Sequence, residues 1–311
     1  MDFVAFNVIL DDVALPDGRV ERDLLGGGGP QTAWGMRLWA DSAGLVGAVG
    51  ADFPASARRW LERCDIDSSG LRQVSFPSLR ARQEVQADGS CRHVWQAKPE
   101  AMRAMLERKV DYLPTAYQKA KGFHFGLHPL EAQRAFQDGL RVMGGLVSVE
   151  MFRPAERALN DGEMRELMGA ADIFSLNIYE ARSLLGGEDS PLELARALIK
   201  WLPVEGAGII SLRLGAQGSL VVQRGVDKAV RIPAIDVPVV DPVGAGNAYC
   251  GAFLAGWVQS ADLAEAGLMG AVAASFMVEQ SGCPLTLDEG TRAEAKRRLE
   301  HARIEVEWVT Q

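Results

Sequence analysis

The chain reads as an α/β protein: a mostly parallel central sheet with helices on both faces, and a small β-lid. Three observations predict this. Short β-branched or aromatic runs, such as 3–10, 43–49 and 171–176, alternate with helical stretches along the chain. Glycine-rich turns stand where several runs end, at 26–29, 215–218 and 244–246, and open α/β sheets bind ligands at such strand ends. Two stretches, 12–25 and 72–98, break the alternation with polar, turn-rich and β-type residues.

The 311 residues, 48% of them hydrophobic, suffice for one large core spanning 1–311 with the lid as a subdomain. The net charge of −8 comes without a basic stripe, which excludes a nucleic-acid partner. No apolar run approaches the roughly 20 residues that span a bilayer, which excludes a membrane role. The N-terminus opens on a strand-like run without a basic region or cleavage site, so it is not a signal peptide. Cys64, Cys91, Cys250 and Cys283 form no C-x-x-C pair and read as reduced thiols of a cytoplasmic protein.

In order, Phe3 to Leu10 is expected to be one buried strand ending at Asp11-Asp12. Residues 13–25, with Pro16-Asp17-Gly18, suit a projecting hairpin. Gly26-Gly27-Gly28-Gly29 leads into a helix over 32–40. A strand at 43–49 and an amphipathic helix at 55–64 follow, then a connection at 65–71 into the lid. Asp88-Gly89 between two alternating runs predicts a lid hairpin. Residues 99–120 read as mostly helical, 121–126 as a strand. His124 and His128 straddle its end without Cys, Asp or Glu at ligand spacing, which argues against a metal pair. Helix 130–143, strand 145–149 and helix 164–170 come next. Strand 171–176 then runs into Asn177-Ile-Tyr-Glu180, where Asn as N-cap with Glu at N3 predicts a capping box. After helix 191–201, strand 208–212 enters the Gly215/Gly218 turn. The β-branched run at 232–240 precedes Asp241-Pro-Val-Gly244-Ala245-Gly246-Asn247. Helices over 248–258, 263–280 and 288–302 close the chain. Gly244 and Gly246 clear space for a ligand, and a helix start there presents free N–H groups, an anion site.

These motifs carry a resemblance. Asp241–Asn247 is similar to the D-T-x-G-A-G-D signature of the PfkB/ribokinase-type small-molecule kinases. Gly26–Ala33 resembles the family's G-G-x-x-x-N-x-A, Gly50-Ala-Asp-Phe its V-G-x-D-x-F turn, Asn177–Glu180 its N-x-x-E, and Arg213–Gly218 its nucleotide-side glycine hairpin. The resemblance runs the whole length. It implies a ribokinase-like three-layer α/β/α sandwich and ATP-dependent phosphoryl transfer to a hydroxyl of a sugar, polyol or nucleoside-like acceptor. It implies that Gly244, Ala245 and Gly246 stabilise the transferring charge. Asp11, Gly26, Gly27, Gly28, Gln31 and, from the lid, Arg92 would hold the acceptor. Arg213, Gly215, Gly218 and Asp241 would serve the nucleotide side, and Asn177 and Glu180 would hold Mg²⁺ through water, with a monovalent cation as a further candidate. It also implies a lid that covers the substrate and can mediate a homodimer.

Two positions depart from the pattern. Gln31 stands at the family's Asn, and Asn247 at the catalytic-base Asp. An amide does not take a proton at neutral pH as a carboxylate does. Positioning and charge stabilisation carry most of phosphoryl transfer, while a general base adds about 10²–10⁴-fold. The sequence therefore leaves open a working kinase, an impaired kinase-fold protein that binds nucleotide or sugar as a sensor or partner, and an engineered substitution at 247.

Overall fold

The computed structural model of the chain describes residues 1–86 and 91–310; the Asp88-Gly89 turn lies outside them. In chain order the elements are β1 (Phe3–Phe6), β2 (Ile9–Ala14), β3 (Val20–Gly26), α1 (Gly29–Trp39), β4 (Ala43–Val49), α2 (Ala55–Arg63), β5 (Ile66–Gln73), β6 (Arg80–Val85), β7 (Cys91–Trp95), α3 (Pro99–Leu106), β8 (Gly122–Leu127), α4 (Arg134–Val142), β9 (Leu146–Met151), α5 (Asp161–Met168) and β10 (Ile173–Asn177). The C-terminal part adds α6 (Ile178–Leu185), α7 (Pro191–Leu198), β11 (Ile209–Arg213), β12 (Ser219–Gln223), β13 (Ala229–Ile232), α8 (Ala245–Ser260), α9 (Leu263–Val278), α10 (Glu289–Ala302) and β14 (Glu307–Val309).

The central sheet runs β14-β13-β12-β11-β10-β9-β8-β1-β4-β5. From β11 to β5 every pairing is parallel, and β12, β13 and β14 are added antiparallel. Alternate side chains of a strand face opposite sides. So Phe3 and Ala5 of β1 join a core with α1, α2, α8, α9 and α10, while Val4 and Phe6 join a second core with α4 to α7. Strands buried on both faces need helical cover on both, and the result is the expected α/β fold with a mostly parallel sheet.

Phe3–Leu10 is not one strand. β1 stops at Phe6, and Asn7 takes a left-handed φ of 71°, a conformation Asn tolerates better than most residues. The chain thereby leaves the central sheet and re-enters as β2 of a second sheet, ordered β3-β2-β6-β7. Asp11 thus lies within a strand of the small sheet, not at the end of β1. The 65–71 connection is itself a strand, β5, paired with β4. The run at 232–240 is no strand beyond Ile232; Pro233 and Pro238 have no N–H for a ladder. The 99–120 region holds α3 and two short 3₁₀ turns. Val13, Leu15 and Val85 of the small sheet pack with Leu24 and with Val243, in the turn before α8.

Candidate active site

Two glycine-started helices bring the site together. Gly27 and Gly28 before α1 both have φ of 83°, and Gly244 before α8 has φ of 85°; only glycine enters this region without strain. The helices lie close because Gly35 sits against the Ala248 carbonyl and Gly251 against the Thr32 carbonyl, where any side chain would collide with backbone. Thr32 Oγ1 also donates to the Asn247 carbonyl at 3.2 Å. The two N-termini therefore open side by side. A Cβ on Gly28 would lie 2.9 Å from Asn247 Nδ2, and one on Gly244 2.7 Å from Gln31 Cγ. Both glycine turns and both departing residues, Gln31 and Asn247, share one corner. Gln31 Nε2 donates to the Leu25 carbonyl at 2.8 Å, which ties α1 to the end of β3.

A polar cluster lies under Asn247 at the C-terminal edge of the sheet. Asn247 Nδ2 donates to Glu150 Oε1. Glu150, at the end of β9, also faces Arg213 Nη1 at 2.8 Å, His124 Nε2 at 3.3 Å and Cys250 Sγ at 3.5 Å. Burial would raise the Glu150 carboxyl, but Arg213, then His124 and Asn247, outweigh it and hold it down at about 2. Arg213 Nη2 lies 3.6 Å from Glu180 Oε2. Asn177 and Glu180 form the expected capping box: Asn177 N donates to Glu180 Oε2 at 2.7 Å, and Glu180 N to Asn177 Oδ1 at 2.9 Å. Burial raises the Glu180 carboxyl to about 7, with Arg213 opposing. Gly246 fits against Arg213, where a Cβ would overlap Nη1. His124, Glu150 and Cys250 bring ligand atoms within 4.8 Å of one another. The Arg213 guanidinium, 2.8 Å from Glu150 and 3.7 Å from Cys250, already fills the cation's role there.

The small sheet supplies the facing wall. Asp11 is 3% exposed and abuts Gly26, where a Cβ would overlap its carboxylate. Gln83 Nε2 donates to Asp11 Oδ1 at 3.2 Å and lies 2.7 Å from His93 Nδ1. Burial lifts Asp11 to about 7 against the Gln83 bond, with Asp12 and Asp241 adding negative charge. Asp241 Oδ1 accepts from Val243 N at 2.9 Å and the Gly282 N–H also faces the carboxylate, while among the described residues no hydrogen bond reaches the buried Oδ2. Gly215 and Gly218 shape the β11–β12 turn beyond Arg213, with φ of 60° and 82°, and the space beside Gly215 is open.

Arg92 is not part of this corner. Register pairs Gln83 with His93 and Glu84 with Arg92, and alternate residues face opposite sides. With Gln83 turned to Asp11, Arg92 takes the other face, 75% exposed and 3.7 Å from Glu84. Gln83 is the residue that sequence reasoning passed over; Glu150 was only a loose match to the family pattern, and His124 was weighed only as a metal ligand. Glu150 carried a faint signal, a carboxylate at the C-terminal end of a sheet strand; Gln83 carried none, and nothing local tied His124 to Glu150, because their partners are far away in sequence.

The family model of pfkB family carbohydrate kinases matches residues 2–289. The chain is 28% identical over 281 residues to the cytidine kinase of Thermococcus kodakarensis, covering 89% of this chain and 95% of that protein. It is 25% identical over 268 residues to a nucleoside kinase of Methanothermobacter thermautotrophicus, covering 84% and 80%. Among solved structures, aminoimidazole riboside kinase from Salmonella enterica, complexed with aminoimidazole riboside and an ATP analogue, superposes with a TM-score of 0.74 at 19% identity, covering 96% of this chain and 100% of that one. The nucleoside kinase of Methanocaldococcus jannaschii gives 0.70 at 22% identity, covering 96% and 98%; these two likenesses speak to the fold. Among the described residues no helix is long and apolar enough to cross a membrane. The fold, the paired glycine helix starts and a family match across nearly the whole chain give one conclusion: this protein belongs to the pfkB family of carbohydrate kinases and is a small-molecule kinase.

Proposed function

We propose that the protein transfers the γ-phosphoryl group of ATP to a hydroxyl of a nucleoside-type acceptor. The observation that carries this is the convergence of the two glycine helix starts, with Asp11 on one side and Glu180, Arg213 and Asn177 on the other. Asp11 accepts from acceptor hydroxyls, and Gln83 keeps one of its oxygens engaged. The Gly26–Gly28 turn brings its backbone against Asp11 and Asn247, closer than any side chain would allow, so its amides lie beside both residues. The amides of Gly244 to Gly246 face the charge that develops on the transferring group. The nucleoside class is favoured by the cytidine and nucleoside kinases among the relatives and by a polar wall of Asp11, Gln83 and His93, with Trp95 4.6 Å from His93.

Mg²⁺ fits Asn177 and Glu180. Both offer oxygen, which this hard cation prefers while keeping several waters, and the Glu180 carboxylate is only partly offset by Arg213. When bound, Mg²⁺ neutralises phosphate charge. A monovalent cation fits Asp241, whose buried Oδ2 lacks a partner. The small sheet acts as a lid, and its strands β3 and β7 have open edges that a second copy could pair.

The test is ADP release by the purified protein with ATP and Mg²⁺ against nucleosides, sugars and polyols. Turnover fastest with a nucleoside supports the reading; turnover fastest with a sugar or polyol removes the nucleoside assignment. No turnover with any acceptor refutes catalysis by this chain and leaves the sensor reading.

A further inference from the structure

At the position where the family resemblance expects a proton-accepting carboxylate, the chain has an amide held by a different carboxylate. The bond has a fixed polarity. A carboxylate only accepts hydrogen bonds, so the Asn247 NH₂, not its carbonyl, must face Glu150. Arg213 keeps Glu150 charged from the other side at 2.8 Å. The groups around Glu150 are His124 from β8, Arg213 from β11, and Asn247 and Cys250 from α8, with Glu180 of α6 beyond Arg213. None of them competes for the Asn247 amide in the described structure. Oδ1 is thereby turned away from Glu150, and among the described residues no protein group donates to it.

We propose that Glu150 is a positioning residue that locks the Asn247 amide so that Oδ1 faces the acceptor hydroxyl, and that residue 247 orients this nucleophile without taking its proton. In the transfer step the acceptor oxygen forms a bond to the γ-phosphorus. The bridging P–O bond breaks, and its electron pair leaves with ADP. The hydroxyl proton passes to an oxygen of the transferred phosphoryl group, whose second pKa near about 6 makes it a better base than an amide. Glu150 carries no proton at any point. The chemistry rests on the kinase reading above; the pairing itself does not.

The pair predicts a reciprocal rescue. Asn247→Asp sets two carboxylates against each other. Glu150→Gln removes the charge facing Arg213 and lets the amides choose either orientation. Combining Glu150→Gln with Asn247→Asp restores the amide–carboxylate pairing in reverse, with the amide now on β9 donating to a carboxylate on α8 and its carbonyl left to accept from Arg213. We expect each single variant to lower the melting temperature and to cut kcat by about tenfold or more, with the KM for ATP little changed, because a misplacement of about 1 Å at the reacting groups can cost about 10²-fold. The double variant should recover most of both. It should also gain a fall in kcat on the acid side, since residue 247 can then take a proton; the unmodified chain should lack that limb. The inference is overturned if Asn247→Asp alone is as stable and as active as the unmodified chain, or if the double variant is no better than the worse single one. If the unmodified chain transfers no phosphoryl group, the kinase reading fails. The melting temperatures of the four proteins then still decide the pair: recovery in the double variant supports it, and additive loss refutes it.

Discussion

Asp11→Asn should make the protein more stable at mildly alkaline pH and poorer at binding its acceptor. Asp11 is almost fully buried, and its only protein hydrogen bond among the described contacts is from Gln83. Its carboxyl rises from 3.8 to about 7, first because burial disfavours the charge, with Asp12 and Asp241 adding to it. A carboxyl raised on folding binds its proton more tightly in the folded state. Its contribution is therefore present below about pH 4 and lost as pH rises to about 7. Three pH units at roughly 1.4 kcal/mol each give a total loss of about 4 kcal/mol. Of this, roughly 2.5 kcal/mol falls between about pH 5 and about pH 8. Asn mimics the protonated form and escapes the loss, while its Oδ1 still accepts from Gln83. Urea unfolding of both proteins at these two pH values measures the difference. The variant's advantage should grow by that amount toward the higher pH. An advantage that is equal at both, or a variant less stable at the higher pH, would refute the account. Acceptor KM should rise about tenfold or more, since hydrogen bonds to a charged group are worth about 1.5–3 kcal/mol.

Three further outcomes follow from the same corner. Gly28→Ala should lower kcat and stability together, because φ is 83° and the new Cβ would lie 2.9 Å from Asn247 Nδ2; the backbone strain alone costs about 1–2 kcal/mol, and steady-state kinetics with a melting curve check it. Glu180→Gln should raise the Mg²⁺ concentration needed for half-maximal rate by about 10–100-fold, the usual range for losing a water-mediated carboxylate, as a Mg²⁺ titration at fixed ATP would show. Asp241→Asn should abolish any stimulation by K⁺ over a bulky organic cation, since Oδ2 is the buried oxygen without a partner; retained stimulation would place the cation elsewhere.

The layers of the fold were legible because their signals are local. Strand and helix periods, the capping box at Asn177 and Glu180, and glycines at helix starts are all read within a few residues. The break at Asn7 was not legible, because Asn-Val between two apolar runs looks like strand continuation until one residue turns left-handed. The same break moved Asp11 from a strand end to the small sheet. The face Arg92 takes was not legible, because alternation decides it, and the register that sets the alternation depends on pairing with β6. Glu150 could be matched only loosely, because its meaning lies in Arg213, Asn247 and His124, which reach it from β11, α8 and β8.

Arg213 explains why the two ends of the site must be considered together. It carries one positive charge between two buried carboxylates, 2.8 Å from Glu150 and 3.6 Å from Glu180. The closer contact goes to the glutamate that holds Asn247. Burial would raise both carboxyls; at Glu150 the Arg213 charge and the His124 and Asn247 bonds reverse it, whereas at Glu180 burial prevails over the longer contact. Moving two glutamates and one arginine out of water is costly unless charges are matched; Arg213 matches Glu150, and at Glu180, whose carboxyl is lifted to about 7, a proton can supply the second positive charge. The exchangeable charge is on the Glu180 side, next to the oxygens of the capping box. Glu150 is then the permanent anion that orients the amide, and under the proposed function Glu180 is the carboxylate that exchanges its proton for a cation. A second arginine in place of a neutral neighbour of Glu180 would match the charges and remove the reason for a cation to bind. On that reading, the raised carboxyl of Glu180 belongs to the proposed cation exchange rather than to a defect of packing.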